Sequence, residues 1–193
     1  MDLGWGNEKA SKFVTNVGLI TTDGPNGANI MAAEWTYYVS WSPALIAVHL
    51  GGGKTAKATS ENIMASREFG VSIAASDQNA ISSIAGGSSG RDVDKISVLT
   101  GMGAQFYPSK SIKPMLLRGA AISIECKLVE AKELGDHTMF IGEMVSIETD
   151  SAKEPLLYSF GRYYKKGEQL HKPEQAVLDK IEQLKAKFAK HKA

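Results

Sequence analysis

Residues 29–62 read NIMAAEWTYYVSWSPALIAVHLGGGKTAKATSEN, and the fold turns on how this stretch divides. Residues 44–50 (ALIAVHL) form an apolar run of strand length, and Gly51, Gly52 and Gly53 stop it. Residues 28–40 read as one earlier strand, joined to the next through the Trp-Ser-Pro corner at 41–43. From Lys54 and Thr55 to Arg67 there is neither Pro nor Gly, so a helix is expected to open there. Backbone amides delivered to a helix N-terminus form a generic anion site, because the first N–H groups lack intrahelical partners and the dipole favours negative charge. Lys54 adds a point charge and Thr55 a hydroxyl. The stretch therefore reads either as a phosphate cup or as a glycine turn that only reverses the chain.

Two familiar phosphate patterns fit poorly. A P-loop ending in Gly53-Lys54-Thr55 would put its first glycine on Val48, inside the strand. The spacing Gly51-x-Gly53-x-x-Ala56 fits a loose dinucleotide fingerprint, but the chain does not alternate strand and helix as that fold requires.

Working outward, Phe13 to Thr22 is β-branched and apolar, and DGPNG at 23–27 is a turn signal that makes a hairpin with residues 28–40. Residues 69–75 are expected as a strand and 77–85 as a short helix ended by Gly86-Gly87. SSGRDVDKI at 88–96 reads as a polar loop, and 100–118 as a long loop. In residues 121–129 (AISIECKLV), Ile122, Ile124, Cys126 and Leu128 face one way, and Ser123, Glu125 and Lys127 the other. Cys126 is thus expected as a buried, inert thiol. Residues 137–148 make the antiparallel mate across Gly135-Asp136, and Leu156 to Tyr164 supplies a last strand. Beyond Pro173, Val177, Ile181, Leu184 and Phe188 recur at spacings of four, three and four. That helical seam fits the chain's own barrel or a second subunit equally well. The division expected is a core over 1–172 and a helix over 173–193.

Composition sets the bounds. Hydrophobic content of 43% and charged content of 22% in 193 residues suit one globular domain. Lys+Arg of 22 against Asp+Glu of 21 gives +1 and no support for a nucleic-acid surface. From Lys165 onward, however, eight lysines face Glu168, Glu174, Asp179 and Glu182, so the tail is basic. One cysteine fits a reducing cytoplasm, no apolar run is long enough for a membrane, and MDLGWGNEKASK lacks a signal-peptide core. No His, Cys or carboxylate spacing suggests a metal.

Many strands, a helix after the glycine loop and late hairpins describe a mainly β small barrel with helical decoration. NIMAAEW, VSWSP, GGGKT, EFGVSIAASDQ, SGRDVDKI, IECKLVEA and GDHTMFIGEM, in that order, resemble the flavin reductase-like family from about Phe13 to Tyr164. The resemblance implies an FMN-binding, Greek-key-like split β-barrel, a homodimer, and NADH or NADPH as cosubstrate. It implies an isoalloxazine along the strand bearing Asn29, Met31, Ala32, Ala33, Trp35 and Ser40. It implies a phosphate at Gly51, Gly52, Gly53, Lys54 and Thr55, with Ser89, Arg91 and Lys95 near the flavin or nicotinamide. Ala32 and Glu34 depart from the family, which often has a hydroxyl residue at those positions. His137 reads as a surface histidine after a turn or, through the resemblance, as a proton relay at the nicotinamide face. His49 reads as a satisfied semi-buried histidine, and Trp35, Tyr37 and Trp41 as core or interface. Two functions follow from the resemblance. One is an NAD(P)H-dependent flavin reductase feeding free flavin or a redox partner. The other is a flavoredoxin-like electron carrier with no pyridine nucleotide site.

Overall fold

The computed structural model describes residues 1–4, 6–52 and 56–189. A 3-10 turn at Glu8–Ala10 leads into β1 (Thr15–Asn16) and β2 (Gly18–Thr22). The segment expected as one strand over 28–40 is two: β3 (Asn29–Ala33) and β4 (Thr36–Trp41), broken at Glu34-Trp35. The reason is topological. β3 pairs with β2, whereas β4 pairs with β5 (Ala44–Gly51) around a corner that holds a cis Ser42-Pro43 peptide.

Helix α1 (Ala58–Ser66) opens past the expected Lys54–Thr55 start and ends at Arg67, φ 61°, whose N–H donates to Ile63 O at 2.8 Å. β6 (Glu68–Ile73) and α2 (Asn79–Gly87) follow in the order expected, but the strand stops two residues early and the helix starts two residues late and takes in Gly86 and Gly87. The polar loop is shorter than expected, because Asp94 caps α3 (Lys95–Gly101) by accepting from Ser97 N at 3.0 Å. Residues 100–118 are also not structureless, since β7 (Phe106–Tyr107) pairs with β8 (Leu116–Leu117).

β9 (Ile122–Leu134) and β10 (His137–Thr149) form the long hairpin, turning at Gly135 with φ 63°. Glu125, expected on the face opposite the apolar one, is nevertheless buried. The 105–118 segment covers that face, and the Lys110 and Ser111 N–H groups donate to its carboxylate at 2.9 and 2.6 Å. The last expected strand is itself a hairpin, β11 (Leu157–Ser159) and β12 (Arg162–Tyr164), reversed where Phe160 and Gly161 adopt φ 50° and 77°.

The main sheet runs β3-β2-β6-β9-β10-β5-β4, with every pair antiparallel. Its two outermost strands are joined by only two residues, so the sheet must curl almost into a barrel. The unpaired seam is held by side chains. Thr36 Oγ1 donates to Ala33 O at 3.1 Å and Asn16 Nδ2 to Thr36 O at 3.1 Å. A Cβ at position 18 would overlap the Thr36 side chain, so Gly18 sets how closely the edges approach. This is a split β-barrel.

The alternation of β2 shows where the cores sit. Ile20 joins Val48, Phe69, Val71, Cys126 and Phe140 inside the barrel, while Leu19 joins Ile30, Ala85, Leu99 and Leu156 beneath α2 and α3. Cys126 is fully buried there, and burial pushes its thiol well above the ordinary range.

Helix α4 (Gln175–Lys187) begins two residues after Pro173 and buries nothing. It does not rest on its own barrel. Trp35, Tyr37 and Trp41 are likewise exposed on the chain and form no part of the core.

Candidate functional site

A cleft of about 370 Å³ opens between the start of α1, the end of α2 and the 88–91 turn, with Met31 of β3 on its wall. At the α1 terminus Lys57 holds the N-cap position with extended backbone (φ −73°, ψ 151°), and its side chain makes no capping bond. The N–H groups of Ala58, Thr59 and Ser60 belong to the unpaired first turn, so this terminus presents donors and the positive end of the dipole.

The opposite wall begins where Gly86 and Gly87 end α2, and Ala32 packs against Gly86. Lys95 reaches under this wall. It is 2% exposed, and its ammonium donates to Ala85 O at 2.9 Å and Ser88 O at 3.3 Å. It therefore serves the carbonyls at the negative end of α2. Burial, with the Lys57 charge a lesser cause, lowers its pKa to about 8.

Arg91 closes the mouth. Its guanidinium donates to Asn26 Oδ1 at 3.1 Å and Ala56 O at 3.2 Å, and pairs with Glu61 Oε1 at 2.6 Å. The bonds from Arg91 and then Asn26 hold the Glu61 carboxyl below its ordinary range. Ser89 Oγ accepts from Arg91 N at 3.1 Å, which folds the turn back on itself.

Beneath the cleft lies a buried amide network. Asn29 Nδ2 donates to Thr59 Oγ1 at 2.9 Å, and a Cβ on Gly90 would collide with the Asn29 amide. Asn62, fully buried, donates to Gly27 O at 2.8 Å and Thr22 Oγ1 at 3.1 Å, and accepts from Asn26 N at 2.9 Å. This network fixes the α1 terminus against the β2–β3 turn.

The structure thus gathers Asn29, Met31, Ala32, Ser89, Arg91 and Lys95 of the sequence candidates around one cleft. Ala33 sits in the barrel core, and Ser40 lies on β4 away from the cleft lining. Gly53, Lys54 and Thr55 lie outside the described residues. Sequence reasoning missed Lys57, Thr59, Glu61 and Asn62, although all four lie within or just beside the deciding stretch. It also read Gly86-Gly87 only as a helix stop.

Trp35, Gly51 and His137 meet instead at a second corner. The His137 ring stacks on Trp35 with centroids 4.5 Å apart and planes at 28°. Its Nδ1 lies 2.7 Å from Asp136 Oδ1, and His137 in turn holds the Asp136 carboxyl low. A Cβ at position 51 would stand 2.9 Å from His137 Nε2, so the glycine leaves that nitrogen its space. Gly52 adjoins, its N–H donating to Asp136 O at 3.3 Å. His49 Nδ1 lies 3.3 Å from Trp35 O, and its ring meets Trp35 and Tyr37 edge-on. Orienting an imidazole through Nδ1 leaves Nε2 for proton exchange.

The cleft fits a phosphate: an uncapped helix terminus, a guanidinium and a lysine converge on a space of small residues. Among the described residues, no group of three or more His, Cys, Asp or Glu side chains converges as a metal site would need, and no helix is long and apolar enough to cross a membrane.

A family model described as the flavin reductase like domain matches residues 10–167. An NADH-dependent FAD reductase of Streptomyces globisporus is 30% identical over 152 residues, covering 78% of this chain and 79% of the relative. An FMN reductase (NADH), RutF, of Ancylobacter novellus is 28% identical over 148 residues, 77% of this chain and 76% of the relative. The solved flavoredoxin of Desulfovibrio vulgaris (Miyazaki F) superposes with TM-score 0.73 at 26% identity, covering 92% of this chain and all of that one.

Proposed function

Since this chain belongs to the flavin reductase-like family, we propose that it is an NAD(P)H-dependent flavin reductase holding FMN with its phosphate in the α1 cleft. The observation that carries this reading is the uncapped α1 terminus with the Arg91 guanidinium beside it at that cleft. A bound flavin supplies a two-electron acceptor for the hydride of a reduced nicotinamide. The chain's own work is binding and placement. The N–H groups of Ala58, Thr59 and Ser60 and the Arg91 guanidinium receive the phosphate, and Lys57 adds charge. Lys54 and Thr55, with Gly51, Gly52 and Gly53, complete the phosphate loop. Asn29 and Asn62 keep α1 in place. Met31, Ala32, Ala33, Trp35 and Ser40 belong to the strands that border the flavin ring, and Ser89 and Lys95 shape the opposite wall. His137, oriented by Asp136, contacts the nicotinamide or exchanges a proton at Nε2.

FMN is favoured over FAD because the cationic groups gather at one helix terminus, enough for a single phosphate. A homodimer is favoured because Tyr37, Leu45, Met139 and Ile141 lie near one another across β4, β5 and β10 and none is buried. The split-barrel domain is taken as 1–172 with a helical extension over 173–193. The single buried thiol suits the cytoplasm.

Anaerobic mixing of FMN-loaded protein with NADH or NADPH tests the activity. Rapid loss of the flavin's visible absorbance is expected with at least one nucleotide. The full coverage of the flavoredoxin chain favours a second reading, an electron carrier reduced by a partner protein. Absorbance that stays unchanged with both nucleotides, while dithionite bleaches it, selects that reading. Flavin released by heat and separated by HPLC is expected to be FMN, and FAD as the main species refutes that part.

A further inference from the structure

We propose that the C-terminal arm, residues 165–189, crosses to a second copy of this chain and lays α4 along that copy's exposed β4 edge. The proposal rests on the homodimer of the preceding reading and adds to it what the arm does.

Every residue from Lys165 to Ala189 is exposed, and the arm's ion pair to the body, Lys166 with Glu154, is 4.0 Å long. A helix of 13 residues is marginal in water unless something packs against it. Its apolar positions form a narrow seam, Val177, Ile181, Leu184 and Phe188, flanked by Leu178. A narrow seam suits a protein surface, whereas membrane binding calls for a broad apolar face.

The same chain leaves a matching surface uncovered. β4 is an outermost strand of the seven, and its Tyr38, Val39 and Trp41 are exposed at 59, 52 and 85%. It carries no lysine or proline to discourage pairing with another chain. Edge strands of this kind are commonly covered by a helix. Charge agrees as well. Glu143, exposed, lies level with Leu45 and Ser40 beside the Trp41 corner. The arm offers Lys172, Lys180 and Lys187, while Lys185 pairs with Glu182 within α4 at 2.6 Å.

Residues 165–174 belong to no helix or strand, and fully extended they would span up to about 33 Å. The arm's own body does not seat it, but a two-fold pair supplies one arm and one open edge per copy, so exchange closes both edges at once. The family match ends at residue 167, before the helix begins.

The test uses the full chain in two differently tagged forms, Trp41→Cys and Leu184→Cys, co-expressed and treated with a flexible bismaleimide. Cys126 is buried and does not compete. A covalent band joining the two tags is expected. Dimer mass by light scattering without that band overturns the arm exchange while the homodimer stands, and monomer mass overturns both. A chain carrying both cysteines that cross-links only within itself shows the arm folding back, which also overturns the proposal. In Leu184→Glu, hydrogen exchange at Tyr38–Trp41 is expected to speed up together with that of α4. Unchanged exchange along β4 refutes the contact.

Discussion

Replacing Arg91 with Ala tests the phosphate assignment most directly. Arg91 has five N–H donors, and in the structure its guanidinium meets Asn26, Ala56 and Glu61 at the mouth of the cleft. It is partly exposed, and the ion pair with Glu61 adds little to fold stability, so the variant should fold. A charge-assisted bond to phosphate contributes about 1.5–3 kcal/mol. Its loss raises the FMN dissociation constant by roughly ten- to a hundredfold. Removing the guanidinium also leaves the Glu61 carboxylate unpaired beside the site, which adds repulsion in the same direction. Riboflavin has no phosphate, so its affinity should barely change. Fluorescence quenching titrations of both ligands against wild type and variant supply the comparison. Equal losses for FMN and riboflavin would place the phosphate elsewhere and refute the reasoning.

Asn62→Ala removes a buried amide that serves Thr22, Gly27 and Asn26. The expected cost is about 2–3 kcal/mol, seen as a melting temperature roughly 5–10 °C lower, and a shift of under a degree would contradict it. Cys126 should resist alkylation in the folded protein and react only on unfolding, because burial suppresses its thiolate. Lys95 has a folded pKa of about 8 against an ordinary 10.5. Below about pH 8 both states are protonated and the burial penalty is complete. Between there and 10.5 the folded state loses its proton first, so stability relative to Lys95→Met should rise with pH. Denaturant melts of both proteins across that range would show it, and a flat difference would refute it.

Local pattern in the chain determined much of this protein. Alternation located the first part of β9, the Gly135-Asp136 and Asp-Gly-Pro-Asn-Gly turns located two hairpins, an apolar run stopped by glycine located β5, and Gly86-Gly87 marked the end of α2. These are contacts between near neighbours, and their periods are visible in one dimension. The ordered motifs gave the family, and with it Asn29, Met31, Ala32, Ser89, Arg91 and Lys95, which lie at the cleft or against its wall. What tertiary structure alone decided are relations between distant segments. The break at Glu34-Trp35 exists because β3 and β4 pair at opposite ends of a curling sheet, a choice set by their partners and not by their own residues. Glu125 is buried because residues 110–111 fold over it and supply two N–H donors, which no alternation can reveal. Lys95, a candidate for the flavin or nicotinamide, is occupied by the Ala85 and Ser88 carbonyls, whereas Lys57, which the sequence did not single out, stands at an open helix terminus. A side chain's charge is written in the sequence; whether that charge is already satisfied depends on which backbone groups the fold brings within 3 Å of it.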